Sequence, residues 1–163
     1  MLAQLAASAS PKPLLTDPKF DQYNAAVSPN GRWVAYQSNE SGQFEVYVRP
    51  FPAVNGGRWQ ISTTTGTTPA WSRDGRQLFY VAGAGARAEM MAVPVETGSA
   101  SFSAAAPKAL FSYAPYSTAS GRIWDVSASG RFLLVKPVSA AVSESLVVVT
   151  NWAKEVASRI PQK

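Results

Sequence analysis

Apolar and polar residues alternate with period two in short runs along most of this chain, the pattern of half-buried β-strands. The clearest run is Phe44-Glu45-Val46-Tyr47-Val48-Arg49. Similar runs predict strands at 23–27, 32–37 and 58–62, then at 68–72, 76–81, 89–95 and 108–111, then at 122–127 and 131–136. Leu146-Val147-Val148-Val149-Thr150 has the continuous apolar character of a strand buried on both faces. Polar turns separate the runs: 38–43 is one, and 83–86, with two glycines, reads as a flexible loop. Residues 97–107 are rich in Ser and Ala and read as a connection without regular structure. Two prolines make 11–16 extended, and 153–160 could form two helical turns before Pro161.

One turn organises the pattern. Ser28-Pro29-Asn30-Gly31-Arg32 leads straight into a strand, and so do Ser72-Arg73-Asp74-Gly75-Arg76 and Ser127-Ala128-Ser129-Gly130-Arg131. The three serines are 44 and 55 residues apart. Such a period, with about four short strands per unit, is the signature of β-propeller blades. The expected fold is therefore all-β: three four-stranded antiparallel blades at about 22–66, 67–112 and 121–152. Residues 1–10 form a leader-like or disordered start without a basic region, and 153–163 a short helix or tail.

Composition narrows the chemistry. The chain has 163 residues, 46% of them hydrophobic and 15% charged, with five Trp, six Tyr and seven Phe. That suits a packed β domain and argues against disorder. There is no cysteine and no histidine. Disulfides, thiolate chemistry, imidazole metal ligands and a Ser-His-Asp triad are thereby excluded. No cofactor or metal site is expected. The net charge of +5 could suit an anionic partner, yet no two basic residues are adjacent. Nucleic-acid binders usually cluster their charge, so a nucleic-acid partner is not expected. No segment approaches the ~20 apolar residues of a membrane-spanning helix.

The repeat turns, together with Glu45-Val46-Tyr47-Val48-Arg49-Pro50-Phe51-Pro52, Pro69-Ala70-Trp71-Ser72, Met91-Ala92-Val93-Pro94-Val95 and Trp124-Asp125-Val126-Ser127, resemble the TolB-like, WD-like propeller repeats of bacteria. The ending Val147-Val148-Val149-Thr150-Asn151-Trp152 resembles the end of propellers attached to bacterial serine/threonine kinases, and the chain as a whole resembles the C-terminal half of one. The resemblance covers roughly residues 13–161. It implies a bacterial source, leaves periplasm, exterior and cytoplasm open, and implies binding more than any one reaction. No kinase motif is present, so that activity is not carried over. Asn30 and Ser129 stand where the repeat usually has Asp.

Three blades cannot close a ring, since propellers have four to eight. A two-fold homodimer would supply six, with Leu14-Leu15-Thr16 of each chain completing the third blade of its partner. In such a ring the loops entering the innermost strands form the channel mouth. They carry Tyr23, Asn24, Thr67, Thr68, Tyr113, Tyr116 and Arg122, with Trp124 and Asp125 on the inner strand beyond and Arg87 on a neighbouring loop. These residues suit recognition of a protein, peptide or glycan; ordinary loop composition accounts for them equally well. A hydrolase of glycosidase or esterase type is the alternative, using Asp125 with its symmetry mate, or Asp21 and Glu40. A glycosidase needs two carboxyl groups about 5 Å or about 6.5–9.5 Å apart. Asp74 and the repeat arginines Arg32, Arg76 and Arg131 read as turn and surface residues rather than ligands.

Overall fold

The computed structural model describes residues 13–98, 101–116 and 121–137. The strand expected at 146–150, the tail at 153–163 and the start at 1–10 lie outside them. The architecture is all-β and antiparallel, with sheets of four, five and two strands. Among the described residues no helix is long and apolar enough to cross a membrane.

The first sheet runs β1 (Gln22–Val27), β2 (Trp33–Ser38), β3 (Glu45–Pro50) and β4 (Trp59–Gln60), each paired with its sequence neighbour. The second contains β5 (Thr67–Trp71), β6 (Gln77–Ala82), β7 (Glu89–Thr97), β8 (Phe102–Ala104) and β9 (Lys108–Ser112). Single 3-10 turns at Val54–Gly56 and Gly85–Arg87 sit in the loops. The third sheet is β10 (Asp125–Val126) paired with β11 (Phe132–Leu133).

One expectation needs correction. Residues 97–107 are not structureless: β8 pairs with the end of β7, while β9 pairs with its beginning. The reason is Phe102. Its ring lies 5.2 Å from Trp33, 5.5 Å from Trp59 and 6.5 Å from Trp71 by centroids. Burying such a ring contributes roughly 1.5–3 kcal/mol, which offsets much of the entropy cost of ordering a short strand of serine and alanine. The second sheet therefore has five strands, not four.

The sheets stack face on face. Ala35, Val46 and Val48 of the first meet Leu78, Tyr80 and Val93 of the second. The other face of the second, with Phe79, Met90 and Ala92, meets Trp124, Phe132 and Leu134 of the third unit. With a spacing of 44 residues, Ala35, Val46 and Val48 correspond to Phe79, Met90 and Ala92. Each unit thus turns the same face to its successor, and the stack has a direction. A buried carboxylate fastens the first seam. Glu45 accepts from the Ser62 hydroxyl, from Gln43 Nε2 at 2.6 Å and from the Thr65 N–H at 3.0 Å. Thr65 Oγ1 in turn accepts from Gly83 N–H of the second sheet at 2.8 Å. Three donors offset the cost of burying the charge.

The repeat turns are not alike. Asn30 Oδ1 accepts from the Ser28 hydroxyl (2.7 Å) and the Arg32 N–H (3.1 Å), and Asp74 Oδ1 does the same with Ser72 (2.6 Å) and Arg76 (3.1 Å). The serine hydroxyl is then left to accept from Trp33 N–H or Gln77 N–H. Gly31 and Gly75 take φ of 69° and 71°, which glycine supplies without strain. Ser129 has no carbonyl oxygen to offer. Arg131 N–H goes straight to the Ser127 hydroxyl at 3.0 Å, and the loop closes one residue sooner, through Ser127 N–H to Arg131 O. The register moves with it. Val27 pairs Val34 and Trp71 pairs Leu78, but Val126 pairs Phe132. A one-residue slip exchanges the faces of a strand. Phe132 and Leu134 consequently pack on the second sheet, and Leu133 stands 72% exposed.

Asn30 also explains its own departure from Asp. Its Nδ2 donates to Thr97 Oγ1 at 3.2 Å, across to the end of β7. A carboxylate could not donate there.

Candidate functional site

The first strands of the three units, β1, β5 and β10, come together. Ala26 and Val27, Trp71, and Asp125 with Arg122 line one recess of about 570 Å³. At the end of the stack remote from the repeat turns, Tyr23, Asn24, Gln37, Phe44 and Gly121 line a second, of about 520 Å³.

Two residues with left-handed backbone shape this end. β1 carries one extra residue between Tyr23 and Ala26, and β5 one between Thr67 and Ala70. These bulges place Asn24 at φ 53° and Thr68 at φ 52°. The two residues are equivalent in the repeat. Asn tolerates the left-handed region, whereas a β-branched residue there is an outlier; such strain costs on the order of 1–3 kcal/mol and tends to collect at functional positions. Gln37 holds both. Its Oε1 accepts from Asn24 Nδ2 at 2.9 Å and from Thr68 N–H at 2.8 Å. Thr68 Oγ1 then accepts from Trp124 Nε1 at 3.0 Å. One hydrogen-bonded line therefore crosses all three units.

The sequence candidates sort as follows. Tyr23, Asn24, Thr68 and Trp124 are brought together, Tyr23 and Asn24 on the recess and Trp124 bonded to Thr68. Tyr23 is 52% exposed and its ring centroid lies 5.8 Å from that of Phe44. Tyr113 and Trp124 are buried in the seam between the second and third units. Burial there pushes the Tyr113 hydroxyl above its ordinary value, and its ring packs on Tyr116 at 5.6 Å. Arg122 reaches over the Trp124 ring at 5.8 Å and lies 3.7 Å from Asp125. Asp125 is exposed and caps its own strand through Val126 N–H at 2.9 Å. Thr67 Oγ1 donates to Val81 O at 3.3 Å, and Arg87 is exposed.

The three candidate carboxylates have separate partners. Asp21 Oδ2 accepts from Asn39 Nδ2 at 3.4 Å. Glu40 pairs with Arg58 and accepts from the Tyr36 hydroxyl at 3.5 Å. Asp125 has Arg122. Asp74 closes its turn, and the Ser72 hydroxyl and the Arg76 N–H hold its carboxyl below the ordinary carboxylate value. Among the described residues no three carboxylates cluster as metal ligands would.

Gln37 was legible as a strand residue but not as a site residue. The signal was there: a carboxamide on the strand face that carries Trp33 and Ala35, where an apolar side chain would otherwise sit. In comparisons with known proteins, no family model matches this chain and no curated sequence does.

Proposed function

We propose that this chain is a half-propeller of the TolB-like, WD-like kind that binds a protein, peptide or glycan at its mouth and catalyses nothing. The observation behind this is the pair of left-handed residues, Asn24 and the strained Thr68, held by one Gln37 oxygen beside an open recess. A fold that maintains such strain at one end keeps a fixed surface there. The hydrolase alternative has less behind it, because Asp21, Glu40 and Asp125 each serve a local partner.

Two copies complete the ring in this reading. The directional stacking supports it, since a third unit offers the next one the same face that its predecessors offer. Leu133 and Val135 are exposed on that face. Leu14 and Leu15 line a recess with Val34 and Tyr36, on the face of the first sheet turned away from the second. Val34 and Tyr36 are already buried there, and Leu14, 40% exposed, is what a partner's third unit would meet.

Two measurements test the proposal. Light scattering across a dilution series should give a constant mass near twice 17.4 kDa; a monomer throughout refutes the ring. Amide shift mapping with pooled peptides and pooled glycans should move Tyr23, Asn24, Gln37, Phe44 and Gly121 first. Shifts centred elsewhere refute the mouth as the binding site.

A further inference from the structure

We propose that the recess at Tyr23, Asn24, Gln37, Phe44 and Gly121 is a subsite for a neutral sugar; this rests on the reading that the mouth is the binding surface. Among the described residues its lining carries no charged side chain. A carboxylate or phosphate ligand would leave its charge unpaired there, which is costly once water is excluded.

The polar groups that remain open form a complementary pair. Asn24 has used its Nδ2 and Gln37 its Oε1 on each other. Asn24 Oδ1, an acceptor, and Gln37 Nε2, a donor, have no partner among the described residues. Each sits on a carboxamide whose other atom is pinned, so both directions are fixed before a ligand arrives. A trans peptide group presents its N–H and C=O on opposite sides, so one such group cannot serve both. Neighbouring hydroxyls of a pyranose can, since every hydroxyl both donates and accepts.

The rest of the lining suits a sugar ring. Tyr23 and Phe44 offer two tilted aromatic surfaces to its apolar C–H face, and Tyr23 adds a phenol. Gly121, at φ 90°, brings backbone rather than a side chain beside Asn24 Oδ1. The volume, about 520 Å³, is within the range of small-ligand pockets.

The test is saturation-transfer NMR on the whole chain with the methyl glycosides of glucose, galactose, mannose and N-acetylglucosamine. At least one should receive saturation at its ring C–H protons, with millimolar affinity. Asn24→Gly keeps the left-handed backbone and removes the acceptor, and should weaken binding about tenfold, one hydrogen bond's worth. Tyr23→Ala, at an exposed position, should weaken it as well. No transfer to any of the four, or binding unchanged in Asn24→Gly, overturns the sugar subsite. A capped glutamine amide shifting the recess while the sugars do not overturns the sugar and leaves the mouth standing. Sugar binding that maps away from Tyr23 and Gln37 overturns both.

Discussion

The turns at Ser72 and Ser127 share the frame Ser-x-x-Gly-Arg and differ at both middle positions, of which Asp74 against Ser129 bears on the hydrogen bonds of the turn. That difference decides which side chains of the following strand are buried. Leu78 and Leu133 each lie six residues after their serine, yet Leu78 is 0% exposed and Leu133 72%. A side-chain carbonyl that claims the arginine N–H lengthens the loop by one residue; a hydroxyl that cannot do so shortens it. Motif identity therefore places a turn, but the register of the strand depends on a single acceptor atom.

Truncating the two leucines should give the largest contrast. Leu78→Ala should cost about 2–5 kcal/mol, as large-to-small changes in a packed core do. Within a single protomer Leu133→Ala should cost less than about 0.5 kcal/mol, any larger cost coming from the proposed dimer and therefore varying with protein concentration. Urea midpoints measure both, and equal costs would mean that the slip is absent. Ser129→Asp should restore the longer loop, after which Leu133→Ala becomes expensive.

Next in size is an alkaline effect on the first seam. Burial, reinforced by Glu45, raises the Tyr80 hydroxyl to about 12 from an ordinary 10.0. The neutral phenol is the form that the folded chain favours. Its contribution is whole below pH 10 and is lost as pH rises toward 12, on the order of 2–3 kcal/mol in total. Stability followed over that window should fall in the native chain and fall less in Tyr80→Phe. The third unit has Leu134 and Val135 in this stretch of strand and nothing there to titrate.

The smallest effect separates the turns themselves. The Asp74 carboxyl, held low by Ser72 and Arg76 N–H, contributes above its ordinary 3.8 and loses that contribution as pH falls through its folded value. Asn30 and Ser129 carry no charge at the same position. Asp74→Asn should flatten the acid limb of the stability profile slightly; an unchanged limb would show that the turn gains nothing from the charge.

Much of the fold was legible because alternation and turn chemistry are local. The strands of the first sheet and β5 to β7 fall within a residue or two of the predicted runs. The strand at Phe102 was not legible, because serine and alanine around it signal no burial; only its three tryptophan neighbours, distant in sequence, make it a strand. The slip at Ser129 was not legible either, since Ser and Asp both suit a turn. At the candidate site, Tyr23, Asn24 and Thr68 are expected from loop position. What joins them, Gln37, was hidden because its role is set by two bulges whose extra residues appear only when β1 and β5 are paired.

Because each unit presents one face and accepts the other, nothing in a seam says how many units should follow. A chain of this kind can lengthen by duplicating about 44 residues, the spacing of its first two serines, without inventing a new contact. The same freedom is a hazard. A stack whose ends fail to meet has a sticky front and a sticky back, and copies adding head to tail would grow into a fibre. Geometry, through the angle between successive sheets, must supply the stopping rule that side-chain chemistry does not.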